Sequence, residues 1–462
     1  MKILKIEFTN HPILKNLSFD FQVDGHMKDI TLLVGENGCG KTLFLEEIFK
    51  IVNGGIIPWN DKIGRRITVK YSEEERAAFS LPDCHLVIDY DESRGTKWTA
   101  LKILDINGND LTPQHHAKFQ QNDDKNPGKQ FKCAYSTVEI NFAVDEIAAI
   151  KASSTDETKK PKSKSSVNIA TEIAQLLVDI KTQDDAALGR WMRENQGKTV
   201  KVECPEGKLD RFKKAYLKMF EGKELFEIRA HEGKHKIIFK DLEESVEFGI
   251  SGLSSGEKQV VYRMGYLLRD LKHLAGGMIL IDEPELSLHP RWQIKYIDFI
   301  RDIFFDGDEE PIQFVIATHS PYFLKSSSMR EVGVATFTRK KGNIVIERPD
   351  EHSWSLLSHG PTLGEINYYA FKLPSIEFHN DLYAYLQEQN SKPKILDIEN
   401  WFVSKGQTKE KKWRDSTSGQ QVEETLITCI RNKIHHGDNQ DRPDFSNAEL
   451  EDSIRRMIKM IT

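Results

Sequence analysis

A chain of 462 residues with 39% hydrophobic and 29% charged side chains can bury a full core, and its length suits two or three structural units. The net charge of -6 excludes a global attraction to nucleic acid or to an anionic membrane surface and leaves only a local basic patch open. Five scattered cysteines (Cys39, Cys84, Cys133, Cys204, Cys429) without C-x-x-C spacing argue against a zinc site and a disulfide framework, so a reducing, cytoplasmic setting is expected. MKILKIEFTN opens the chain as a strand rather than an apolar signal core. No run of about eighteen apolar residues follows, so no membrane contact is expected. MKILKIEF and LSFDFQV alternate apolar and polar residues as half-buried strands do, and ITLLV, directly before Gly35, reads as a buried strand.

Gly35 to Thr42 spells G-x-x-x-x-G-K-T between that strand and a helix starting near Lys41, the context a phosphate-binding loop requires. Gly35, Glu36, Asn37, Gly38, Cys39 and Gly40 would turn backbone N–H groups toward the phosphates of ATP. Lys41 would reach the β and γ oxygens, and the Thr42 hydroxyl would ligate Mg2+. The strand-like runs RRITVKY, CHLVIDY and KWTALKILDI follow, with turn residues such as Asn107, Gly108 and Asn109, so a β-rich lobe is expected beside the nucleotide. Residues 1–150 then form the N-terminal part of an ATPase domain.

Residues 151–240 interrupt it. Lys151 to Ser166 (KASSTDETKKPKSKSS) is polar, lacks periodicity and carries lysines at 159, 160, 162 and 164; it reads as a solvated loop, with a nucleic-acid or partner contact as the alternative. Ile169, Ile173, Leu176, Leu177 and Ile180 recur at helical spacing, continuing loosely to Trp191 and Met192, and Leu209, Phe212, Tyr216, Met219 and Phe220 mark a second helix. A short helical hairpin is expected, without the sustained heptads of a long coiled-coil arm. LFEIRAHEGKHKIIF reads as a β-hairpin turning near Gly233 and returning the chain to the ATPase domain.

Residues 241–340 carry three further pieces. SGLSSGEKQVV sets Ser254 and Gly256 at the start of an apolar-rich helix; taken alone, SSGE is a helix-capping box. GMILIDEPE is a buried strand ending in Asp282 and Glu283, at the strand end where open α/β sheets bind ligands. Asp282 would hold Mg2+ directly or through water, and Glu283 would polarise an attacking water as general base. QFVIATHS is another apolar strand and delivers His319 just past its end.

LSSGE, Leu253 to Glu257, resembles the signature motif of ABC-type ATPases. The resemblance implies that Ser254 and Gly256 bind the γ-phosphate of ATP held by an opposite subunit. It also implies that His319 is the switch histidine contacting the γ-phosphate, and that ELSLHP, Glu285 to Pro290, is a dimer-contact loop. Ser255 stands where transporter members usually have glycine and Glu257 where they have glutamine, so the motif is more similar to the chromosome-maintenance and DNA-repair branch. A phosphate loop and a signature helix on one chain face different directions, so each ATP is expected between two copies. No aromatic that stacks on adenine is identified. The glutamine of the lobe-coupling loop stays open among Gln114, Gln120, Gln121 and Gln130.

Residues 341–462 are expected to form a small, mainly helical interaction region in which few long helices are discernible. Gly360 to Asn390 is rich in aromatics, which suits core packing, with a docking surface as the alternative. Val422, Leu426, Ile430 and Ile434, at spacing four, place a helix that ends near Gly437. Arg431 and His436 on it resemble the R-x4-H motif of HEPN ribonucleases, which would imply RNA cleavage by that pair. Cationic side chains at a helix end are also favoured by the dipole alone.

The expected fold is α/β: an ABC-type P-loop ATPase with a β-rich lobe, an inserted short helical hairpin and a small, mainly helical C-terminal region. As a whole the chain resembles the stand-alone ABC-type ATPases of bacterial anti-phage defence systems, such as those of PARIS and then Septu, related to OLD and SMC-type proteins. GEINYYAF and IRNKIHHGDN also resemble their C-terminal regions. The resemblance implies an ATP- and Mg2+-dependent sensor and scaffold that forms a homodimer and a larger homo-oligomer. Such a scaffold controls a separate nuclease of TOPRIM or HNH type encoded nearby and answers a phage-encoded trigger; no fused nuclease sheet is expected after residue 340. Two alternatives are an SMC-like ATPase that clamps duplex DNA and a HEPN-like ribonuclease using Arg431 and His436.

Overall fold

The structure is a computed structural model and describes residues 2–23, 25–54, 63–91, 100–120, 133–136, 169–196, 206–231, 234–269, 276–305, 312–326, 332–348, 362–416 and 418–461. The expected loop Lys151–Ser166, the turn at Gly233, and Gln121 and Gln130 lie outside them. The chain folds into two compact units, a larger one of Met1–Leu33 with Asn37–Ile346 and a smaller one of Val34–Glu36 with Glu347–Thr462.

Alternating burial along Lys2–Thr9 turns Ile6 and Phe8 inward and builds an antiparallel sheet in the order Ser18–Asp20, Lys2–Thr9, Gly64–Lys70, Leu86–Tyr90, Leu101–Asp105. A second sheet of six strands runs in the order Asn343–Glu347, Val332–Lys340, Ile30–Val34, Gln313–Thr318, Met278–Asp282, Cys133–Ser136. Met278–Asp282 is parallel to both of its neighbours. Ile30–Val34, Gln313–Thr318 and Met278–Asp282 are buried along their whole length, which is why they read as unbroken apolar runs.

The helix Lys41–Gly54 serves both sheets. Its Phe44, Leu45, Ile48 and Ile51 share one core with Ile6 and Phe8 of the first sheet and Leu33, Leu280 and Val315 of the second. The Phe44 ring lies 5.1 Å from that of Phe19 and 5.6 Å from that of Phe337. Burying each such side chain stabilises the fold by roughly 1.5–3 kcal/mol.

The inserted hairpin is longer than expected. Its first helix, Ile169–Asn195, has 27 residues and is not short. Ile173, Leu176, Leu177 and Ile180 are buried, and the helix packs along Ser255–Arg269. Periodicity fades after Ile180 because the last turns leave this contact, exposing Leu188 and Met192. The second helix, Lys208–Met219, buries Leu209, Phe212, Tyr216 and Met219 against the helix Pro290–Phe304, with Phe212 6.3 Å from Phe299. Lys208 Nζ donates to Gln183 Oε1 at 3.1 Å and to the Leu268 carbonyl at 3.3 Å. The hairpin therefore belongs to the same compact unit as the two sheets. Lys223–His231, Lys234–Asp241 and Glu247–Phe248 form a separate antiparallel sheet.

The smaller unit holds more regular helix than its sequence pattern suggested. Leu363–Phe371, Ile376–Gln389, Ile395–Ser404, Leu426–His435 and Asn447–Ile461 surround a core that includes Phe378, Leu382, Tyr383, Ile398, Phe402, Ile430 and Ile454. A hairpin joins Lys411–Arg414 to Gln421–Glu424. Side-chain caps at Thr362, Ser375 and Thr425 start three of these helices. Phe378 and Tyr383 serve the core, as the packing reading expected. Among the described residues no helix is long and apolar enough to cross a membrane.

Candidate nucleotide-binding site

Three strands bring the candidate residues together. Ile30–Val34, Gln313–Thr318 and Met278–Asp282 are consecutive in their sheet, and Asp282 stands opposite Ala317. Gly35 and the exposed Glu36, Asn37 and Gly38 lead from the first of these strands to the buried Cys39, then Gly40 and the helix Lys41–Gly54. Gly38 and Gly40 have φ of 75° and 95°, the left-handed region that glycine adopts without steric cost. At Gly40 a Cβ would also lie 2.4 Å from Ile344 Cδ1.

Lys41, only 4% exposed, sets its Nζ 3.2 Å from His319 Nδ1, and His319 Nε2 lies 2.8 Å from Glu283 Oε1. An ammonium group can only donate, so Nδ1 accepts from it and Nε2 carries the proton given to Glu283. Burial holds the Lys41 pKa below its usual value, opposed by the Cys39 sulfur at 3.5 Å and then by Glu283 and Glu285. Glu283 adopts a φ of 43° while its N–H donates to the Ala317 carbonyl at 2.9 Å. A left-handed non-glycine residue costs about 1–3 kcal/mol and is retained only where its surroundings impose it.

Asp282 is 1% exposed. Burial raises its pKa and Glu283 adds to the rise, against a hydrogen bond from the Thr42 hydroxyl and the positive charge of Lys41. Its Oδ1 is buried without a hydrogen-bond partner. A buried carboxylate oxygen that lacks a donor is costly unless a cation meets it. Beside the Thr42 hydroxyl it makes the oxygen donor pair that magnesium prefers, so these residues fit the ion. Among the described residues there is no cluster of three His, Cys, Asp or Glu side chains suited to another metal.

Ser254 and Gly256 join a different neighbourhood. Ser254 Oγ accepts from Glu257 N at 3.3 Å while Glu257 Oε2 accepts from Ser254 N at 2.7 Å, so the capping box is present. Gly256 is buried, and a Cβ there would lie 2.4 Å from the Ser287 carbonyl oxygen, so the loop Glu285–Pro290 closes on the start of this helix. Farther along the same helix, the buried Arg263 donates to the Asp282 carbonyl at 3.2 Å. Glu257 also pairs with Lys223 at 2.9 Å, tying the helix to the strand Lys223–His231.

Two features escaped the sequence. Glu285 Oε1 accepts from the His319 N–H at 2.5 Å, holding the backbone beside the histidine, and burial raises its pKa. The third acid of DEPE was the available signal. The second feature is a cleft of about 450 Å³ between Leu14–Ser18 and Asn343–Ile346. Leu14 and Ile344 from its walls are also the side chains nearest Gly40. His11 shapes the first wall: its Nδ1 accepts from Ile13 N at 3.1 Å and Leu14 N at 2.9 Å, while its Nε2 faces Glu47 at 3.8 Å. These walls are aliphatic and polar, so a search for a stacking aromatic passes over them.

Gln114 is exposed on the helix Thr112–Gln120. In the smaller unit, the Arg431 guanidinium lies 5.7 Å from the Tyr383 ring and donates to Asn432 Oδ1 at 3.0 Å. His436 is exposed just past the end of its helix.

Residues 30–325 match the family described as "AAA domain, putative AbiEii toxin, Type IV TA system". The "Septu protein PtuA" of Bacillus thuringiensis is 34% identical over 91 residues, covering 17% of this chain and 22% of that protein. The "Retron Vc95 probable ATPase" of Vibrio cholerae serotype O1 biovar El Tor is 31% identical over 97 residues, 19% of this chain and 18% of that protein. The match thus spans about a fifth of either relative's length. The "SMC head domain from Thermotoga maritima" aligns over 75% of this chain and 99% of its own at 13% identity and a TM-score of 0.40, too distant to carry structural inference.

Proposed function

The chain belongs to the family described as "AAA domain, putative AbiEii toxin, Type IV TA system", and on that premise we propose that it is the ATP-hydrolysing subunit of an anti-phage defence system. One observation carries this reading: the contacts Lys41–His319–Glu283 lie beside the Thr42–Asp282 pair. Together they supply a cation, an acceptor for a water proton and two oxygen donors, the working parts of phosphoryl transfer to water.

ATP enters with its γ-phosphate replacing the direct contact between Lys41 and His319. Lys41 then neutralises the β and γ oxygens, the backbone from Gly35 to Gly40 turns its N–H groups to the phosphates, and His319 meets the γ-phosphate. Thr42 and Asp282 would hold Mg2+, which would supply charge neutralisation at the phosphate oxygens. Glu283 takes the proton of the attacking water. Base and ribose occupy the cleft between Leu14–Ser18 and Asn343–Ile346, through aliphatic and polar contact. Ser254 and Gly256 of a second copy close over the nucleotide, so ATP binding and homodimerisation are one event.

Beyond the dimer, the reading extends to a larger homo-oligomer whose smaller unit holds a nuclease until a phage-encoded trigger arrives. The motifs resemble those of AriA of PARIS, which works with the TOPRIM-type nuclease AriB. The similarity to PtuA supports the Septu type, with an HNH nuclease, as the second choice. The test is to express the tagged chain with its neighbouring genes and determine native mass and co-purifying partners. A stoichiometric nuclease in a multi-subunit particle is expected. A lone dimer carrying DNA would move the assignment to a duplex clamp. RNA cleavage without a partner, lost on His436→Ala, would move it to a ribonuclease.

A further inference from the structure

We propose that Gln293 is a positioning residue that couples the loop Glu285–Pro290 to the segment of His319, an inference that rests on the ATPase reading above. Gln293 lies in the first turn of the helix Pro290–Phe304, where its own N–H already bonds to the His289 carbonyl at 3.1 Å. Its side-chain amide, which offers a donor and an acceptor side by side, uses both on other segments. Nε2 donates to the Leu288 carbonyl at 2.7 Å, and Oε1 accepts from the Ser320 hydroxyl at 2.5 Å.

Ser320 is held from further sides. Its Oγ accepts from Tyr322 N at 3.1 Å, and its own N–H donates to Thr318 Oγ1 at 3.0 Å. One residue earlier, the His319 N–H is taken by Glu285. Residues 285 and 288 of one loop are therefore tied to residues 319 and 320, once by the loop's own carboxylate and once through Gln293. The other face of the loop presents the Ser287 carbonyl to Gly256 with no room for a Cβ. A displacement at the start of the helix Ser255–Arg269, where a second copy's nucleotide is proposed to sit, must move this loop. The Gln293 amide transmits that movement to the backbone that aims His319 at Lys41 and Glu283. Hydrolysis in one site is thereby made to depend on closure of the other.

The test measures steady-state ATP hydrolysis, ATP binding and melting temperature for the full chain and for Gln293→Met, Ser320→Ala and the double variant. Methionine keeps the length of glutamine and removes both hydrogen bonds. Each single variant is expected to lower kcat about tenfold, with the Kd for ATP within about threefold of wild type and little change in Tm. The double variant is expected to be no slower than the slower single, because both cut one connection. Unchanged kcat in Ser320→Ala, multiplying effects in the double variant, or ATP binding lost in step with Tm would each overturn the coupling. If Gln293→Met does not fold, Ser320→Ala decides on the same kcat-against-Kd criterion. A wild-type chain that neither binds nor hydrolyses ATP would overturn the ATPase reading itself and the coupling with it.

Discussion

Asp282 places a carboxyl where water does not reach, with Oδ1 unpartnered and its pKa raised chiefly by burial. An acid whose folded pKa exceeds its unfolded pKa binds more protons in the native state, so stability falls as pH rises through that window and the cost persists at neutral pH. Asp282→Asn should therefore raise the melting temperature of the nucleotide-free chain at pH 7, lose that advantage in acid and abolish Mg2+-dependent hydrolysis. Calorimetry at the two pH values checks this, and a lower Tm for the variant at pH 7 would contradict it. Lys41 and Glu283 meet the same histidine through its two ring nitrogens, and the proposed mechanism gives them different steps. Lys41→Ala should lose ATP binding, whereas Glu283→Gln should keep it, because Lys41 brings positive charge to the phosphates and Glu283 brings none. Nucleotide titrations distinguish the two, and equal affinities would remove the roles assigned to them.

The helix Ser255–Arg269 links three parts of the larger unit through Glu257, Gly256 and Arg263. Glu257 is 1% exposed and both caps the helix through Ser254 N and pairs with Lys223. Glu257→Ala should cost about 3 kcal/mol, since it removes the cap and strands Lys223, whereas Glu257→Gln keeps the cap acceptor and should cost about 1 kcal/mol. Urea denaturation orders the two variants, and equal losses would mean the cap contributes nothing. In the smaller unit, His379 Nε2 meets Ser453 Oγ at 2.9 Å and joins the helices Ile376–Gln389 and Asn447–Ile461. Burial lowers the His379 pKa from 6.5 to about 3. A base with a lowered folded pKa contributes full stability above its unfolded pKa and loses it as pH falls below, by about 1.4 kcal/mol per pH unit. The smaller unit should thus weaken by about 2 kcal/mol between pH 7 and pH 5, and His379→Leu should flatten that slope. Parallel slopes in wild type and variant would show that other groups set the acid sensitivity.

At the scale of the whole molecule, the proposed ATP sandwich makes assembly state the measurable quantity. With ATP, Glu283→Gln should accumulate a species of twice the subunit mass or a multiple of it, while Lys41→Ala should not. Native mass spectrometry with and without ATP reads this directly, and an ATP-independent mass for Glu283→Gln would remove dimer closure from the mechanism. The inserted helices matter at this scale because they are not a detached lobe: Ile169–Asn195 lies along the helix that Ser254 caps and that carries Gly256.

The strand, glycine turn and helix around Gly35–Thr42, the apolar strands ending at Asp282 and Thr318, and the helical pattern around Leu209–Met219 were all legible in the sequence by itself, because each is a local pattern of spacing that burial or a tight turn demands. The same locality explains why SSGE could be read as a cap. Only the tertiary structure decided that Lys41 meets His319 across a separation of 278 positions. It also decided that Glu285 and Gln293 hold the backbone around that histidine, that Gly256 is required by the Ser287 carbonyl, and that Leu14 and Ile344 flank Gly40. Such contacts join side chains whose identities carry no periodicity, so their meaning exists only once packing of the two sheets on the helix Lys41–Gly54 has brought them together.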